Sequence, residues 1–558
     1  MQSKGTRVGH SKNDSDRLVA QQSLIRALEN PQVYKHAVTE LAVIETHISW
    51  VILTGDFVYK IKKAVNYGFL DYSTLEKRGF FCREELRLNR RFAPRVYLET
   101  LAISGTPEQP SLQPGGEPIE YAVKMVQFPQ AGLLSCLAGQ HALTPGHIDE
   151  LATLLSGMHA AVDSADEGSG HGLPDDIHHW VMENFGHIRP ALRTTGQQQQ
   201  LEGIEVWCQQ EFSARRGMLE QRRCNGFVRE CHGDLHLGNL AVIEGRITPF
   251  DGIEFNLQLR WIDVMSEVAF LVMDIRDRGY PPWSFRLLNG YLQHTGDYAG
   301  LALLRYYLVY RALVRAKVAV LRQVQAASTL DREDAWHQYS AYMQLAAHYV
   351  KPPRVALIIT HGVSGSGKSF HAAQLAEQLG AIRIRSDVER KRLYGYSTEA
   401  KTQSGIQAGI YSKDSGKRSY DRLAELARTV IEAGYPVIVD ATFLRHEGRE
   451  QFRQLSGSLT VPFVLLHFDA DHDTLYARIR DRQAAGGDPS EAGIEVLESQ
   501  LASQEPLTAA EMADVLQAEP FTVPASDPVS GEIAGTIQSM MITRQTRDAD
   551  GFRGADPR

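Results

Sequence analysis

Hydrophobic residues change their spacing along this chain, and the change predicts two architectures. Between residues 43 and 62, β-branched and aromatic residues flank a turn at Thr54-Gly55-Asp56, which predicts a small antiparallel meander. Residues 74–92 have helical spacing and end before Pro94, and a further strand is expected at residues 121–126. The pattern then becomes helical. We expect helices at residues 148–160, 177–187, 201–221, 261–277, 301–325 and 332–350, with loops that include residues 168–172 and the glutamine run 197–200.

From residue 354 onward, short apolar runs alternate with helical segments. The alternation predicts a parallel sheet with helices on both faces, and ligands then bind at the carboxyl ends of the strands. Pro352-Pro353 stops the preceding helix and marks a domain boundary. The predicted strands lie at residues 355–360, 382–384, 436–439 and 463–468. The predicted fold class is α+β followed by α/β, with a disordered segment at 1–20, domains at 21–350 and 351–542, and a disordered tail at 543–558.

The most specific motif follows the first strand of the second domain and fits the pattern G-x-x-x-x-G-K-S/T. A strand before the motif and a helix ending at Gly380 after it are the context that this phosphate-binding loop requires. Its glycines let backbone N–H groups surround phosphate oxygens, and the helix start adds partial positive charge. Lys368 is expected at the β- and γ-phosphates of ATP, and the Ser369 hydroxyl on Mg²⁺. The motif comprises Gly362, Val363, Ser364, Gly365, Ser366, Gly367, Lys368 and Ser369.

A second group of chemically capable residues lies in the first domain, in the stretch Cys231-His232-Gly233-Asp234-Leu235-His236-Leu237-Gly238-Asn239. A predicted hairpin follows and ends at Asp251. Asp234 has the chemistry to orient a hydroxyl nucleophile and accept its proton. Asn239 and Asp251 offer the oxygen ligands that Mg²⁺ prefers. His232 is interpreted as a loop-ordering residue because no further metal ligands stand near, and His236 has no assigned role.

This stretch resembles the catalytic loop of aminoglycoside phosphotransferases and their relatives, which include choline and homoserine kinases. The resemblance implies a bilobal, protein-kinase-like domain that transfers the γ-phosphoryl group of ATP to a small-molecule hydroxyl. It implies Lys60 as the ATP-binding lysine, with Lys62 as the alternative. The paired acid is Glu85 or Glu84, and we favour Glu85. Two departures are the missing G-x-G-x-x-G loop before Lys60, and Gly252-Ile253-Glu254 in place of Phe-Gly after Asp251.

The second half resembles small P-loop kinases, the group with polynucleotide 5′-kinase, zeta-type toxins and chloramphenicol phosphotransferase. The resemblance implies Asp387 as a catalytic base and Arg390 as a substrate-phosphate ligand. Asp440, which ends a strand, is expected to support Mg²⁺. Arg478 and Arg482 are either a solvated helix face or part of a lid that neutralises the transferring phosphoryl group. The order of the two halves resembles a family of bacterial two-domain proteins that join a phosphotransferase to a predicted kinase.

Composition and charge restrict the expected partners, cofactors and location of the protein. The 558 residues carry a net charge of −8, which gives no general electrostatic case for nucleic-acid binding. The five cysteines are scattered, so we expect neither a disulfide framework nor a zinc site. The first 17 residues lack the apolar core of a signal peptide, and the longest apolar segment, residues 301–324, is interrupted by arginine and lysine. We therefore expect a cytoplasmic protein with no membrane association.

These observations predict an ATP- and Mg²⁺-dependent phosphotransferase with two nucleotide sites, acting on small-molecule hydroxyls rather than on nucleic acid. One alternative is a regulatory ATP-binding protein, with a pseudokinase first half and a nucleotide switch or toxin-like effector as the second half. The other is a polynucleotide 5′-hydroxyl kinase.

Overall fold

The computed structural model divides into two compact units. The first comprises Met1–His147, Gly157–Trp180 and Arg216–Leu271, and the second comprises Ile148–Ser156, Val181–Arg215 and Val272–Arg558. The boundary predicted at residues 350 and 351 therefore lies inside the second unit. The structure describes residues 12–68, 70–166, 168–326, 328–397, 400, 413–485, 492–518 and 531–541. The predicted disordered tail at 543–558 lies outside these residues.

The first unit begins with a six-stranded antiparallel sheet in the order β1-β2-β3-β6-β4-β5. The predicted meander is confirmed as its first three strands, with Val51 opposite Lys60. The pair β4 and β5 was not predicted. The strands are β1 (Ala42–Glu45), β2 (Ser49–Leu53), β3 (Phe57–Lys62), β4 (Tyr97–Thr106), β5 (Gln109–Ser111) and β6 (Pro118–Val126).

Two helices accompany this sheet, α1 (Lys12–Leu28) and α2 (Leu75–Arg90). The prediction that residues 1–20 are disordered is wrong for residues 12–20, which belong to α1. Leu24 and Leu28 of α1 are buried in one cluster with Trp50 and Ile52 of the sheet, and this burial stabilises the helix. The prediction of α2 is confirmed. Its N-cap is Thr74, whose side chain accepts a hydrogen bond from the Lys77 N–H.

Helices and two short strand pairs follow. The predicted hairpin after Asn239 is confirmed as β8 and β9, which pair antiparallel. The predicted loop at residues 197–200 is wrong: these glutamines are helical, as their good helix propensity allows. The helix predicted at residues 261–277 begins as a strand that pairs with β7. The elements are α3 (Leu134–Gly139), α4 (Pro145–Ala161), α5 (Pro174–Ile188), α6 (Thr195–Cys224), β7 (Val228–Glu230), β8 (Leu240–Ile243), β9 (Arg246–Pro249), α7 (Leu257–Arg260), β10 (Trp261–Asp263) and α8 (Val264–Asp277).

The second unit contains a five-stranded parallel sheet in the order β12-β13-β11-β14-β15. The predicted parallel sheet is confirmed, and β15 is an addition. From residue 281 onward, the elements are α9 (Pro281–Thr295), α10 (Leu301–Gln325), α11 (Thr329–Tyr349), β11 (Leu357–His361), α12 (Lys368–Leu379), β12 (Ile382–Arg385), α13 (Ser386–Leu393), α14 (Lys413–Glu432), β13 (Val437–Asp440), α15 (His446–Ser458), β14 (Phe463–Phe468), α16 (His472–Ala485), α17 (Ile494–Ser503) and β15 (Val515–Ala518).

One face of this parallel sheet forms a hydrophobic core with α12. Ile358, Ile438 and Leu466 of the strands lie in one buried cluster with Leu375 of α12 and Ile537 of the helical residues 531–541. Burial on both faces explains why the strands are nearly continuous apolar runs. Within the described parts of the chain, no helix is both long and apolar enough to span a membrane.

Candidate functional site

Strand β3 and helix α2 bring two lysines and one carboxylate together in the first unit. Lys60 Nζ lies 2.8 Å from Glu85 Oε1, and Lys62 Nζ lies 2.6 Å from Glu85 Oε2. The Glu85 side chain is 0% exposed. Glu84 points elsewhere, with Arg87 Nη2 at 2.9 Å. The geometry therefore places Glu85, and not Glu84, beside both candidate lysines.

The two lysines have different further partners. Lys60 also donates to Asp251, a candidate metal ligand whose side chain is 46% exposed. Lys62 donates to Glu254 instead and is itself only 1% exposed. Burial opposes the charge on Lys60, but Asp251 and Glu85 raise its pKa well above the ordinary value. Lys60 is thus the lysine that faces the candidate metal site, and Lys62 is a buried partner of the segment that follows Asp251.

The loop after β7 places Asp234 beside Asn239. Asn239 Nδ2 donates to the Asp234 backbone carbonyl at 2.9 Å and to Asp234 Oδ2 at 3.1 Å. The Phe250 N–H donates to the Asn239 carbonyl at 3.0 Å, which ties the end of the hairpin back to the loop. The amide of Asn239 is thereby oriented, with its nitrogen on Asp234 and its oxygen directed away from that bond.

A buried carboxylate that sequence reasoning missed holds this loop. Gly233, at φ 88°, donates its N–H to Glu267 Oε1 at 2.7 Å, and His159 Nε2 lies 3.0 Å from Glu267 Oε2. Burial opposes ionisation of Glu267, but the hydrogen bond and charge of His159 lower its pKa. His232 Nε2 lies 2.8 Å from the Phe250 carbonyl, which fits the loop-ordering role predicted for it. Glu267 and His159 had no signal in the sequence because they are distant from the motif along the chain.

The segment around Asp251 is fixed from two directions. Asp251 has a positive φ of 63°, and its N–H donates to the hydroxyl of Tyr97 at 2.9 Å. The Gly252 N–H donates to Asn89 Oδ1 of α2 at 2.7 Å. A conformation of this kind in a non-glycine residue costs free energy and persists where its surroundings enforce it. The sheet and α2 together therefore hold a candidate metal ligand in a defined direction.

The oxygen-rich set of Asp234, Asn239 and Asp251 fits Mg²⁺, which prefers carboxylate and carbonyl oxygens. The half-exposed carboxylate of Asp251 can exchange its contact with Lys60 for a cation, because solvent reaches it. Asn239 and Asp251 would hold the ion. The catalytic and metal-binding roles of these three residues stay predictions, which the geometry supports.

The glycine-rich loop of the second unit connects β11 to α12. Gly362 has φ 144° and Gly367 has φ 94°, which side chains rarely adopt. A Cβ at Gly362 would lie 2.4 Å from the Phe468 carbonyl oxygen, so only glycine fits there. Helix α12 begins at Lys368, directly after Gly367. The loop therefore directs a helix N-terminus at its own concave side, as an anion site requires.

Lysine and oxygen ligands lie at the predicted positions around this loop. Lys368 Nζ donates to the Val363 carbonyl at 2.6 Å and is buried. The Ser369 hydroxyl donates to Asp440 Oδ1 at 3.2 Å. Asp440 Oδ2 is buried and has no hydrogen-bond partner among the described residues. Its ion-pair contact is Arg383 Nε at 3.8 Å. A buried carboxylate beside a serine hydroxyl fits a site for Mg²⁺, which Ser369 and Asp440 would hold.

Comparison with known proteins agrees with this geometry. Residues 357–507 match the family AAA_33, an AAA domain. An uncharacterized protein of Mycobacterium tuberculosis is 28% identical over 472 residues, which are 84% of this chain and 92% of that protein. An uncharacterized protein of Mycobacterium bovis has the same identity and coverage.

Two solved structures are similar to parts of this chain. A choline/ethanolamine kinase family protein from Mesorhizobium loti is 10% identical, with a TM-score of 0.37, and covers 60% of this chain and 99% of its own. A gluconokinase from Sinorhizobium meliloti is 19% identical, with a TM-score of 0.23, and covers 36% of this chain and 99% of its own.

The P-loop domain has a cleft of about 230 Å³ that gathers most of its predicted site residues. Asp387, at the start of α13, lines this cleft together with Lys368, Ser369 and Asp440. Arg478 and Arg482 line it from α16, where a spacing of four residues places them on one helix face. Arg478 Nη1 donates to the Gly365 carbonyl at 3.3 Å. Arg478 therefore contacts the phosphate loop, and Arg482 lines the same cleft. A lid role for the two arginines stays a prediction.

Arg390 is placed differently. It lies on α13, three residues after Asp387. Its Nε donates to Ser419 Oγ of α14 at 3.4 Å. Among the described residues, those that line the cleft do not include Arg390. A role for Arg390 on a substrate phosphate stays a prediction. Arg383 was missed by sequence reasoning: its Nη1 donates to the Ser369 carbonyl at 3.1 Å.

We predict that substitution of Lys62 mainly affects stability and that substitution of Lys60 mainly affects ATP binding. Lys62→Met leaves buried Glu254 without its cation and should lower the free energy of unfolding by about 3–5 kcal/mol. Lys60→Met should lower it less, since Glu85 keeps Lys62, while ATP binding to the kinase-like domain is lost. Calorimetry and nucleotide titration measure the two effects. Lys77→Met, at a surface pair with Asp71, is the control. Equal destabilisation by Lys60→Met and Lys62→Met would contradict the distinction.

A pH dependence follows from Lys368. Desolvation lowers its pKa to about 8 against the opposing charges of Asp440 and Asp387. The ammonium is therefore charged below this pH and neutral above it. In the Lys60→Met protein, the Kd for MgATP should rise by about tenfold per pH unit above pH 8. Lys368→Arg, which stays charged, should abolish the slope. A Kd for MgATP that is constant from pH 7 to pH 9.5 in the Lys60→Met protein would contradict this assignment.

Proposed function

We propose that this protein is an ATP- and Mg²⁺-dependent phosphotransferase with two nucleotide sites, each of which transfers the γ-phosphoryl group to a hydroxyl of a small molecule. The observation that carries the proposal is the meeting of a base and metal ligands in the first unit, independent of the phosphate loop in the second. In the first unit, Asn239 Nδ2 donates to Asp234 Oδ2 at 3.1 Å. Lys60 donates to both Glu85 and Asp251.

In the kinase-like domain, Asp234 orients the acceptor hydroxyl and takes its proton as the new O–P bond forms. The bond from the γ-phosphorus to the bridging oxygen breaks, and ADP leaves. Lys60, held by Glu85, contacts the phosphates of the donor. Asn239 and Asp251 would hold Mg²⁺, which would neutralise charge on the phosphate oxygens. Glu267 keeps Asp234 in position through the Gly233 N–H.

In the P-loop domain, Lys368 and the loop N–H groups bind the phosphates, and Ser369 and Asp440 hold Mg²⁺. Asp387 lines the same cleft and is the candidate base for the acceptor hydroxyl. Ser386 donates its hydroxyl to Asp387 Oδ1 at 3.3 Å, which orients the carboxylate. The arginines of α16 would stabilise charge on the group in transfer.

A small molecule is the favoured acceptor. The net charge of −8 disfavours a polyanionic partner, and Arg390, the residue expected to hold a nucleic-acid phosphate, contacts Ser419. A regulatory role without turnover is also less favoured. Binding of nucleotide alone does not require a carboxylate in the position of Asp234 beside two metal ligands.

The proposal predicts two separable activities in the full-length protein. Asp234→Asn keeps the shape of the loop but removes the base, and should reduce transfer by the kinase-like domain by roughly 10²- to 10⁴-fold. Lys368→Ala should abolish ATP use by the P-loop domain and leave the other activity intact. Labelled ATP with a panel of metabolite hydroxyls and a 5′-hydroxyl oligonucleotide measures both.

The control for the first substitution is Asp175→Asn, which alters an exposed aspartate on α5 that pairs with Arg216. It should leave both activities unchanged. If Asp234→Asn retains all phosphoryl transfer and ATP hydrolysis, the first site is not catalytic. Transfer to the oligonucleotide that is lost in Arg390→Ala would favour the polynucleotide kinase alternative.

A further inference from the structure

Strand β12 is one of the two edge strands of the parallel sheet, and one side chain forms hydrogen bonds with its outer edge. Its inner side pairs with β13, beginning where the Ile382 N–H donates to the Pro436 carbonyl at 2.8 Å. On the outer side, the Arg383 N–H donates to Asn289 Oδ1 at 2.7 Å, and Asn289 Nδ2 donates to the Ala381 carbonyl at 2.9 Å. Edge strands leave such backbone groups unpaired. The amide of Asn289, on α9, replaces a neighbouring strand.

The helix that follows β12 is held by the same region of the chain. The hydroxyl of Tyr298, just beyond α9, donates to Glu389 Oε1 of α13 at 3.1 Å, and both side chains are buried. Arg392 Nη2 donates to the Gln293 carbonyl of α9 at 2.6 Å. A Cβ at Gly296 would lie 2.7 Å from Arg392 Nε, so the two segments approach closely.

These contacts enclose the segment that carries Asp387. Strand β12 ends at Arg385 and α13 begins at Ser386, so Asn289 acts on one side of Asp387 and Tyr298 on the other. Both residues lie outside the matched AAA_33 range, 357–507. The acceptor side of the P-loop cleft is therefore supported by helices that precede the P-loop domain in the chain.

We propose that Asn289 and Tyr298 are positioning residues of the P-loop site, which hold β12 and α13 so that Asp387 faces the phosphate loop. The inference rests on the proposed function of Asp387. Small displacements of a reacting group carry large penalties in rate, since transfer requires close alignment of nucleophile and phosphorus. Nucleotide binding should depend less on these residues, because Lys368 and the glycine loop belong to β11 and α12.

The first experiment measures hydrogen–deuterium exchange of residues 381–393 in full-length protein. Asn289→Ala removes both bonds to the edge of β12, and exchange there should rise by about tenfold or more. The control is His294→Ala on the same helix, whose imidazole lies 3.3 Å from Thr153 Oγ1 and does not bond the strand. Equal exchange of residues 381–393 in the two variants would overturn the role of Asn289.

The second experiment separates binding from turnover in full-length Asp234→Asn protein. Tyr298→Phe removes one hydroxyl without changing the shape of the core, and turnover by the P-loop site should fall by roughly ten- to a hundredfold while the Kd for MgATP stays the same. The control is Tyr339→Phe, because the Tyr339 hydroxyl is buried and has no hydrogen-bond partner among the described residues. Equal turnover in the two variants, or a parallel loss of MgATP affinity, would overturn the proposal.

The two measurements distinguish the inference from the proposed function. If the Asp234→Asn protein shows no ATP turnover that depends on Lys368, the proposed function of the P-loop site fails. In that case, exchange at residues 381–393, measured in Asn289→Ala and in Tyr298→Phe, still reports whether the two residues hold the segment. If turnover depends on Lys368 but is the same in Asn289→Ala, Tyr298→Phe and the Asp234→Asn protein from which they are made, the positioning role alone is wrong.

Discussion

Glu85 is the charge on which the first site depends. A carboxylate with no exposed surface is costly unless cations surround it, and Glu85 has Lys60 on one oxygen and Lys62 on the other. Each lysine then reaches a further acid, Asp251 or Glu254, in the segment after the β8–β9 hairpin. A single buried charge thereby fixes a strand, a helix and the candidate metal-binding segment relative to one another.

In the P-loop domain, backbone geometry has the larger part in forming the anion site. Its loop depends on glycines at positive φ, which let N–H groups and the start of α12 face one anion site. Lys368 supplies a buried positive charge, and Asp440, whose Oδ2 makes no hydrogen bond among the described residues, supplies a carboxylate for a cation. The first unit thus builds its site from side-chain ion pairs, and the P-loop site combines the backbone of its loop with the side chains of Lys368, Ser369 and Asp440.

Sequence reasoning located the motifs because each is local. The glycine loop and the spacing from Asp234 to Asn239 depend on neighbouring residues, and alternating apolar runs predicted the parallel sheet. The choice between Lys60 and Lys62 stayed open since both share one strand face, and only the depth of Lys62 beside Glu254 separates them. Glu267 and Asn289 gave no signal because their roles depend on contacts with residues distant along the chain.

The central claim is that one chain has two independent nucleotide sites. Equilibrium dialysis of the full-length protein with a non-hydrolysable MgATP analogue tests it most directly. The account predicts a stoichiometry of two per chain, reduced to one by Lys60→Met or by Lys368→Ala and to none by both together. A stoichiometry of one in the unsubstituted protein, lost on Lys368→Ala and unaffected by Lys60→Met, would contradict it.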